Sequence, residues 1–255
     1  MRITSYAAIL AAMCCPLDAY AAMTERFIPD CAGAVEIPHA KVVRVEREGT
    51  LILSDGHAAV LEGLRLPPPS EKIVYDRALA LLRGSAMTGT VSFTATAPAK
   101  DRYGRLRVQG FGQAWLQYAL LEQGLARVQI SPDRSECAPD LYEAETQARA
   151  RHAGIWALPI NRVRTPQALK GIAGTFQLVE GDVSNIGRAD GRTFIDFGEK
   201  RVFSAVIGPA DRRAFRDFDF DELSGRQVRV RGIVQDYRGR PEIVLSNPAQ
   251  IELLN

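Results

Sequence analysis

From Lys41 onward, short apolar runs alternate with turn-forming residues, and the spacing within each run decides which element it predicts. Val42 to Val45, Thr50 to Leu53 and Ala58 to Leu64 are β-rich, with Ser54-Asp55-Gly56 between the last two, so this stretch predicts an antiparallel meander. After Pro67-Pro68-Pro69 the period changes. Ser70 offers an N-cap, Ile73, Val74, Ala78, Leu79, Leu81 and Leu82 recur at helical spacing, and Gly84 offers a stop. Strands over Gly89 to Thr96 and Leu106 to Phe111 follow, joined by a loop containing Asp101-Arg102-Tyr103-Gly104-Arg105. A second helix is expected over Gln113 to Gln123, with Trp115, Leu116, Ala119 and Leu120 on one face and Gly124 at its end. A third begins near Pro139 and runs through Ala153 to Gly154.

The pattern then breaks over Pro159 to Lys170, a polar, proline-containing stretch that reads as a linker (159–170). Beyond it, Phe176 to Val183, Thr193 to Phe197, Val202 to Ile207, Gln227 to Gln235 and Glu242 to Leu245 are candidate strands. Pro209 to Leu223 reads as a helix or a partly helical connector between the third and fourth of these. That is the element order of an oligonucleotide-binding (OB) type barrel. In Arg226-Gln227-Val228-Arg229-Val230-Arg231-Gly232 the valines alternate with arginines, so one face of that strand is expected to be buried and the other to carry guanidinium groups in solvent. The fold class is therefore mainly β with α: a barrel with three helices, then a second OB-like barrel over 171–255.

Composition limits the reading without naming a function. With 255 residues, 46% hydrophobic and 24% charged, the chain has ordinary globular composition and length for two domains. The net charge of +2, from 32 basic and 30 acidic residues, advertises no global attraction to nucleic acid. Met1-Arg2, the uncharged apolar run Ile3 to Leu17 and the small residues of Ala19-Tyr20-Ala21 read as a signal peptide over 1–21. The expected destination is the periplasm or the exterior, as a protein without a membrane span. A lipidated start at Cys14 or Cys15 is the lesser alternative, because Met13 is a poor residue before a lipidated cysteine. Export leaves Cys31 and Cys137, an even pair expected to form a disulfide, whose loop of roughly 100 residues has a chain-entropy value of about 4–5 kcal/mol at most. His39, His57 and His152 are scattered, with no metal-binding interval, and no Gly-rich phosphate loop or Gly-x-Ser-x-Gly elbow occurs.

Three segments carry a family resemblance: Asp101-Arg102-Tyr103-Gly104-Arg105, Leu120-Leu121-Glu122-Gln123-Gly124-Leu125-Ala126-Arg127-Val128, and Glu145-Thr146-Gln147-Ala148-Arg149 leading to Gly154-Ile155-Trp156. In order and spacing they resemble the staphylococcal-nuclease (thermonuclease) family, over a domain spanning 31–158. The resemblance implies phosphodiester cleavage in which Ca²⁺ on carboxylates polarises the phosphate, a glutamate assists water, and two arginines stabilise the developing charge. It also implies that most of this machinery is replaced. A calcium-ligand aspartate falls on Gly49, the first catalytic arginine on Val60, the second calcium carboxylate on Arg65 and the glutamate on Pro68. Arg105 alone falls on a catalytic position and keeps its type. Glu48 and Glu62 stand one position away from matched sites, but a one-residue slip in a strand reverses its facing.

Three functions follow as expectations. The leading one is an exported, catalytically inactive nuclease-like protein, without cofactor, binding a protein or polymeric ligand of unknown identity. The second is a Ca²⁺-dependent nuclease with a rearranged site. The third is nucleic-acid binding without cleavage, not favoured by the charge balance, on a basic patch built from Arg65, Arg102 and Arg107 beside Arg105. Phe194, Phe197, Phe203 and Tyr237, with Arg229, Arg231, Arg238 and Arg240, are the residues with which the second barrel would stack on a single strand. Core packing and solvated arginines are the blander account of the same residues.

Overall fold

The computed structural model describes residues 29–37 and 41–254. The expected signal segment 1–21, with Cys14 and Cys15, and also His39 lie outside the described residues. Among the described residues no helix is long and apolar enough to cross a membrane.

The first sheet has six strands: β1 (Val35–Ile37), β2 (Val42–Val45), β3 (Leu51–Leu53), β4 (Ala58–Leu61), β6 (Ser92–Ala95) and β7 (Leu106–Phe111), in the order β1-β6-β7-β4-β3-β2. Its edge strands β1 and β2 are successive in the chain, and the strand order is that of an OB-type barrel. The one parallel pair is β4 with β7, Ala59 opposite Leu106, where the chain crosses over through α1 (Lys72–Met87). The run expected as one strand over Ala58 to Leu64 breaks at Gly63, whose φ is +85°, and resumes as β5 (Leu64–Arg65), which pairs with β8 (Arg127–Val128).

Helix α1 differs from its expected form. It begins at Lys72 with no side-chain cap and continues through Gly84 to Met87. Val74, Ala78, Leu79, Leu82 and Ala86 form its buried stripe, so Ala86 seats a last turn that the glycine, costing about 1 kcal/mol relative to alanine, does not break. Ile73 lies off that stripe and is 79% exposed. Helix α2 (Leu116–Glu122) starts later than expected because Trp115 is extended and bridged to Phe111. Helix α3 (Ala138–Ala150) ends before Ala153. The backbones at Gly124 and Gly154 touch: a Cβ built on Gly124 would stand 2.2 Å from the Ala153 carbonyl oxygen, and one on Gly154 2.1 Å from that of Gly124. Two of the glycines in the motifs thus mark one chain crossing. Cys31 and Cys137 are disulfide-bonded, tying the segment before β1 to the start of α3.

The second sheet contains β9 (Phe176–Ala189), β10 (Arg192–Phe197), β11 (Phe203–Ile207), β12 (Gln227–Tyr237), β13 (Arg240–Leu245) and β14 (Ile251–Leu253). β9 is longer than its apolar run because its two halves have different partners: residues 176–182 pair with β12 and 183–189 with β10. The ring β9-β10-β11-β13-β12-β9 closes, with β11 and β13 parallel, which is the connectivity of an OB barrel. Pro209 to Leu223 contains two short 3₁₀ turns, Arg212–Phe215 and Asp221–Leu223, where three phenylalanines (215, 218, 220) pack edge to face and stacked.

The arginines of β12 overturn the expectation of a solvated face. Arg231 is 1% exposed and Arg229 half-buried. Arg231 reaches the first barrel's helix α3, placing Nη1 2.8 Å from Glu145 Oε2 and its guanidinium 4.0 Å over the Tyr142 ring, while Nη2 meets Glu252 of β14 at 2.5 Å. Arg229 pairs with Glu180 and Glu252. Across the same junction Arg127 donates to the Phe176 carbonyl, Tyr142 to that of Ala249, and Asn247 to those of Ser131 and Pro132. Strand alternation distinguishes two faces but does not say that the second meets another unit.

Candidate functional site

Two turns of the first barrel and the strand between them bring together Gly49, Val60 and Arg105. The β2–β3 hairpin closes with Glu46 N donating to the Thr50 carbonyl, and Gly49, at φ +79°, lets it turn tightly. β4 runs between β3 and β7. Before β7, Asp101 organises its own loop by accepting from the backbone N–H groups of Tyr103 and Arg105 and from Arg105 Nε at 2.8 Å. Burial raises the Asp101 carboxyl, and the bonds from Arg105 and Tyr103 outweigh it, so it is held below the ordinary carboxylate range.

Gly49, Val60 and Arg105 line one pocket of about 160 Å³, together with Glu48, Thr50, Leu61, Leu64, Leu66 and Leu82. Five apolar side chains share its lining with Thr50, Arg105 and a single carboxylate, Glu48. Arg65 and Pro68 do not enter it. Arg65 donates to Gln129 at 3.2 Å and lies 5.7 Å from the Phe176 ring centroid at the base of the second barrel. Pro68 is exposed. The donor set does not fit calcium, which takes six to eight hard oxygens including carboxylates. Among the described residues no three His, Cys, Asp or Glu side chains gather where they could hold a metal ion.

Val60, Leu61, Leu64 and Arg105 also border a wider, more open groove of about 580 Å³ that carries Glu62, Lys100, Asp101, Arg102, Tyr103, Arg107 and Asp133. Of the proposed basic patch, only Arg102 and Arg105 come together, lying 4.8 Å and 5.4 Å from the centroid of Tyr103, a ring residue 67% exposed. Arg107 lines the groove but its charge is met. Asp133 accepts two of its N–H groups at 2.8 and 2.9 Å, and Glu62 accepts from Nε at 2.6 Å, holding the guanidinium well above its usual pKa. Glu62, which also accepts from Ser131, is thereby fully engaged. Four basic side chains face three acidic ones, so the groove is close to neutral.

The second barrel's candidate residues divide. Phe197 and Phe203 are core. Arg192 lies 5.1 Å from the centroids of both Phe194 and Tyr237 while bonding Glu242, and Arg238 lies 5.3 Å from that of Tyr237, so this surface stacks on itself. His57 bonds Asp55 in an exposed turn and His152 is exposed at φ +51°. The residues that sequence reasoning missed are the pocket's leucines. Leu82 and Leu79 share a helical stripe, and nothing in that periodicity separates a side chain filling the core from one that also floors a pocket.

Residues 76–158 match a family model described as Staphylococcal nuclease homologue. The matched span runs from α1 through α3 and contains Arg102, Arg105 and Arg107, while Gly49, Val60, Arg65 and Pro68 precede it. No curated protein matches the chain.

Proposed function

We propose that this chain, whose first barrel carries a staphylococcal nuclease-like domain, is an exported binding protein that does not hydrolyse phosphodiesters. The observation that carries this reading is the pocket itself: where metal-assisted cleavage needs a cage of carboxylates, Gly49 and Val60 stand among leucines with Glu48 as the one anion. Arg65, on the position of a calcium carboxylate, turns away to Gln129 and Phe176, and Arg105 alone cannot replace the metal and the second arginine that stabilise a phosphorane. The Cys31–Cys137 disulfide supports export, since such bonds persist in oxidising compartments. Arg102 and Arg105 across the exposed Tyr103 favour a second reading, capture of a single nucleic-acid strand without cleavage, against which Asp101, Asp133 and Glu62 weigh. Heat denaturation with Ca²⁺ or with chelator tests the absence of a calcium site. The melting temperature stays unchanged on this account, whereas a site held at 100 times its dissociation constant adds about 2.7 kcal/mol.

A further inference from the structure

The pocket beneath the β2–β3 hairpin is shaped for more than the loss of a metal. Val60, Leu61, Leu64, Leu66 and Leu82 wall it. Leu82 is 1% exposed, so the pocket floor is the first barrel's own core. At about 160 Å³, and open to solvent on the side of Glu48 and Arg105, it has room over its leucines for a group of about the size of benzene. An apolar group the size of a leucine or phenylalanine side chain is the natural occupant.

Two charges stand at the pocket's lining, and neither is spent on the other. Glu48 makes no hydrogen bond or ion pair among the described residues. Arg105 gives Nε to Asp101 and makes no hydrogen bond with its terminal nitrogens among the described residues. Glu48 sits on the hairpin leading into β3 and Arg105 on the turn leading into β7, and these strands flank β4. Strands β3 and β7 stand two strand spacings apart, about 10 Å, and Glu48 and Arg105 are also offset along them, so the two side chains reach the pocket from opposite ends with room for a small molecule between them. An anion alone would meet Arg105 but be repelled by Glu48, and a cation alone the reverse. We propose that the pocket binds a free apolar α-amino acid, its side chain among the leucines, its ammonium on Glu48 and its carboxylate on Arg105. This rests on the non-hydrolytic reading, because a metal-loaded site would occupy the same space.

Calorimetric titration of the full chain with L-leucine, N-acetyl-L-leucine and L-leucinamide tests it. Leucine is expected to bind saturably, and each blocked analogue about tenfold or more weakly, the order of one charged hydrogen bond. Glu48→Gln should remove the discrimination against N-acetyl-leucine, and Arg105→Ala that against leucinamide. Both residues lie on surface turns, and circular dichroism checks that each variant is folded. Equal binding of all three compounds, or binding of none by the folded wild type, overturns the proposal. DNA cleavage measured on the same preparation separates the two claims. Cleavage overturns the non-hydrolytic reading and this inference with it, whereas no cleavage and no leucine binding overturns the inference alone.

Discussion

Replacing Arg231 by methionine should loosen both barrels at once. In the folded chain Arg231 is 1% exposed and the Glu145 side chain 0%, with 2.8 Å between the charged atoms. Burial opposes the charge on Arg231, and Glu145, Tyr142 and Glu252 outweigh it, so its pKa is raised. Methionine keeps much of the packing but leaves the Glu145 carboxylate with the Val128 N–H as its remaining hydrogen bond among the described residues, and with Arg127 and Arg149 as cations near it but not bonded to it. Removing one partner of such a pair costs about 3–5 kcal/mol. Glu252 retains Arg229 and is partly solvated, so it adds little to that cost. With a urea slope of about 2–3 kcal/mol/M, the unfolding midpoint falls by about 1–2.5 M. Both tryptophans, Trp115 and Trp156, lie in the first barrel's core while Arg231 belongs to the second barrel, so fluorescence reads the coupling directly. The double variant Arg231→Met/Glu145→Leu should lose less than the sum of the singles, although the freed Val128 amide costs about 1–3 kcal/mol. A shift in far-ultraviolet dichroism with the fluorescence midpoint unchanged would refute the reasoning, because it would mean that the barrels unfold independently.

Three further outcomes follow from the same contacts. The Glu252 carboxyl, raised by burial but lowered more by Arg231 and Arg229, has a depressed pKa in the folded state, so its contribution is present above the unfolded carboxyl range near 4 and fades as pH falls through the folded value. Glu252→Gln should therefore flatten the acid limb of a stability profile, and an unchanged limb would contradict this. Reducing the Cys31–Cys137 bond, which spans a separation of 106 residues, should lower stability by up to about 5 kcal/mol, read as a urea midpoint with and without reductant. Gly124→Ala places a methyl against the Ala153 carbonyl at φ +64° and should cost more than about 2 kcal/mol in the same assay, where a near-neutral result would mean that the crossing relaxes.

The strands, the helices and the two-barrel plan were legible because their periods differ and their turns are punctuated. Errors came where context outweighed pattern. Gly84 did not stop α1 because Ala86 has a core to enter, and Ile73 shared the helical spacing of its neighbours while facing solvent. β14 has three residues, too few for the alternation of Ile251, Glu252 and Leu253 to announce it. Arg231 carried no sign of burial, since the carboxylate that holds it is 86 residues away in the chain. At the candidate site the resemblance located Gly49, Val60 and Arg105, which do meet, but Arg65 leaves for Phe176, and of the leucines Leu61 and Leu64 come from β4 and β5 while Leu66 and Leu82 come from the segment after β5 and from α1, which strand logic does not connect.

Phosphodiester cleavage by the first barrel is the most direct test of the non-hydrolytic reading. Purified, folded protein should be incubated with single- and double-stranded DNA and RNA, with Ca²⁺ or with chelator, beside Arg105→Ala. No metal-dependent cleavage of any substrate by either protein is expected. Cleavage that requires Ca²⁺ and disappears in Arg105→Ala would contradict it, and would mean that carboxylates outside the Gly49 pocket assemble a working centre.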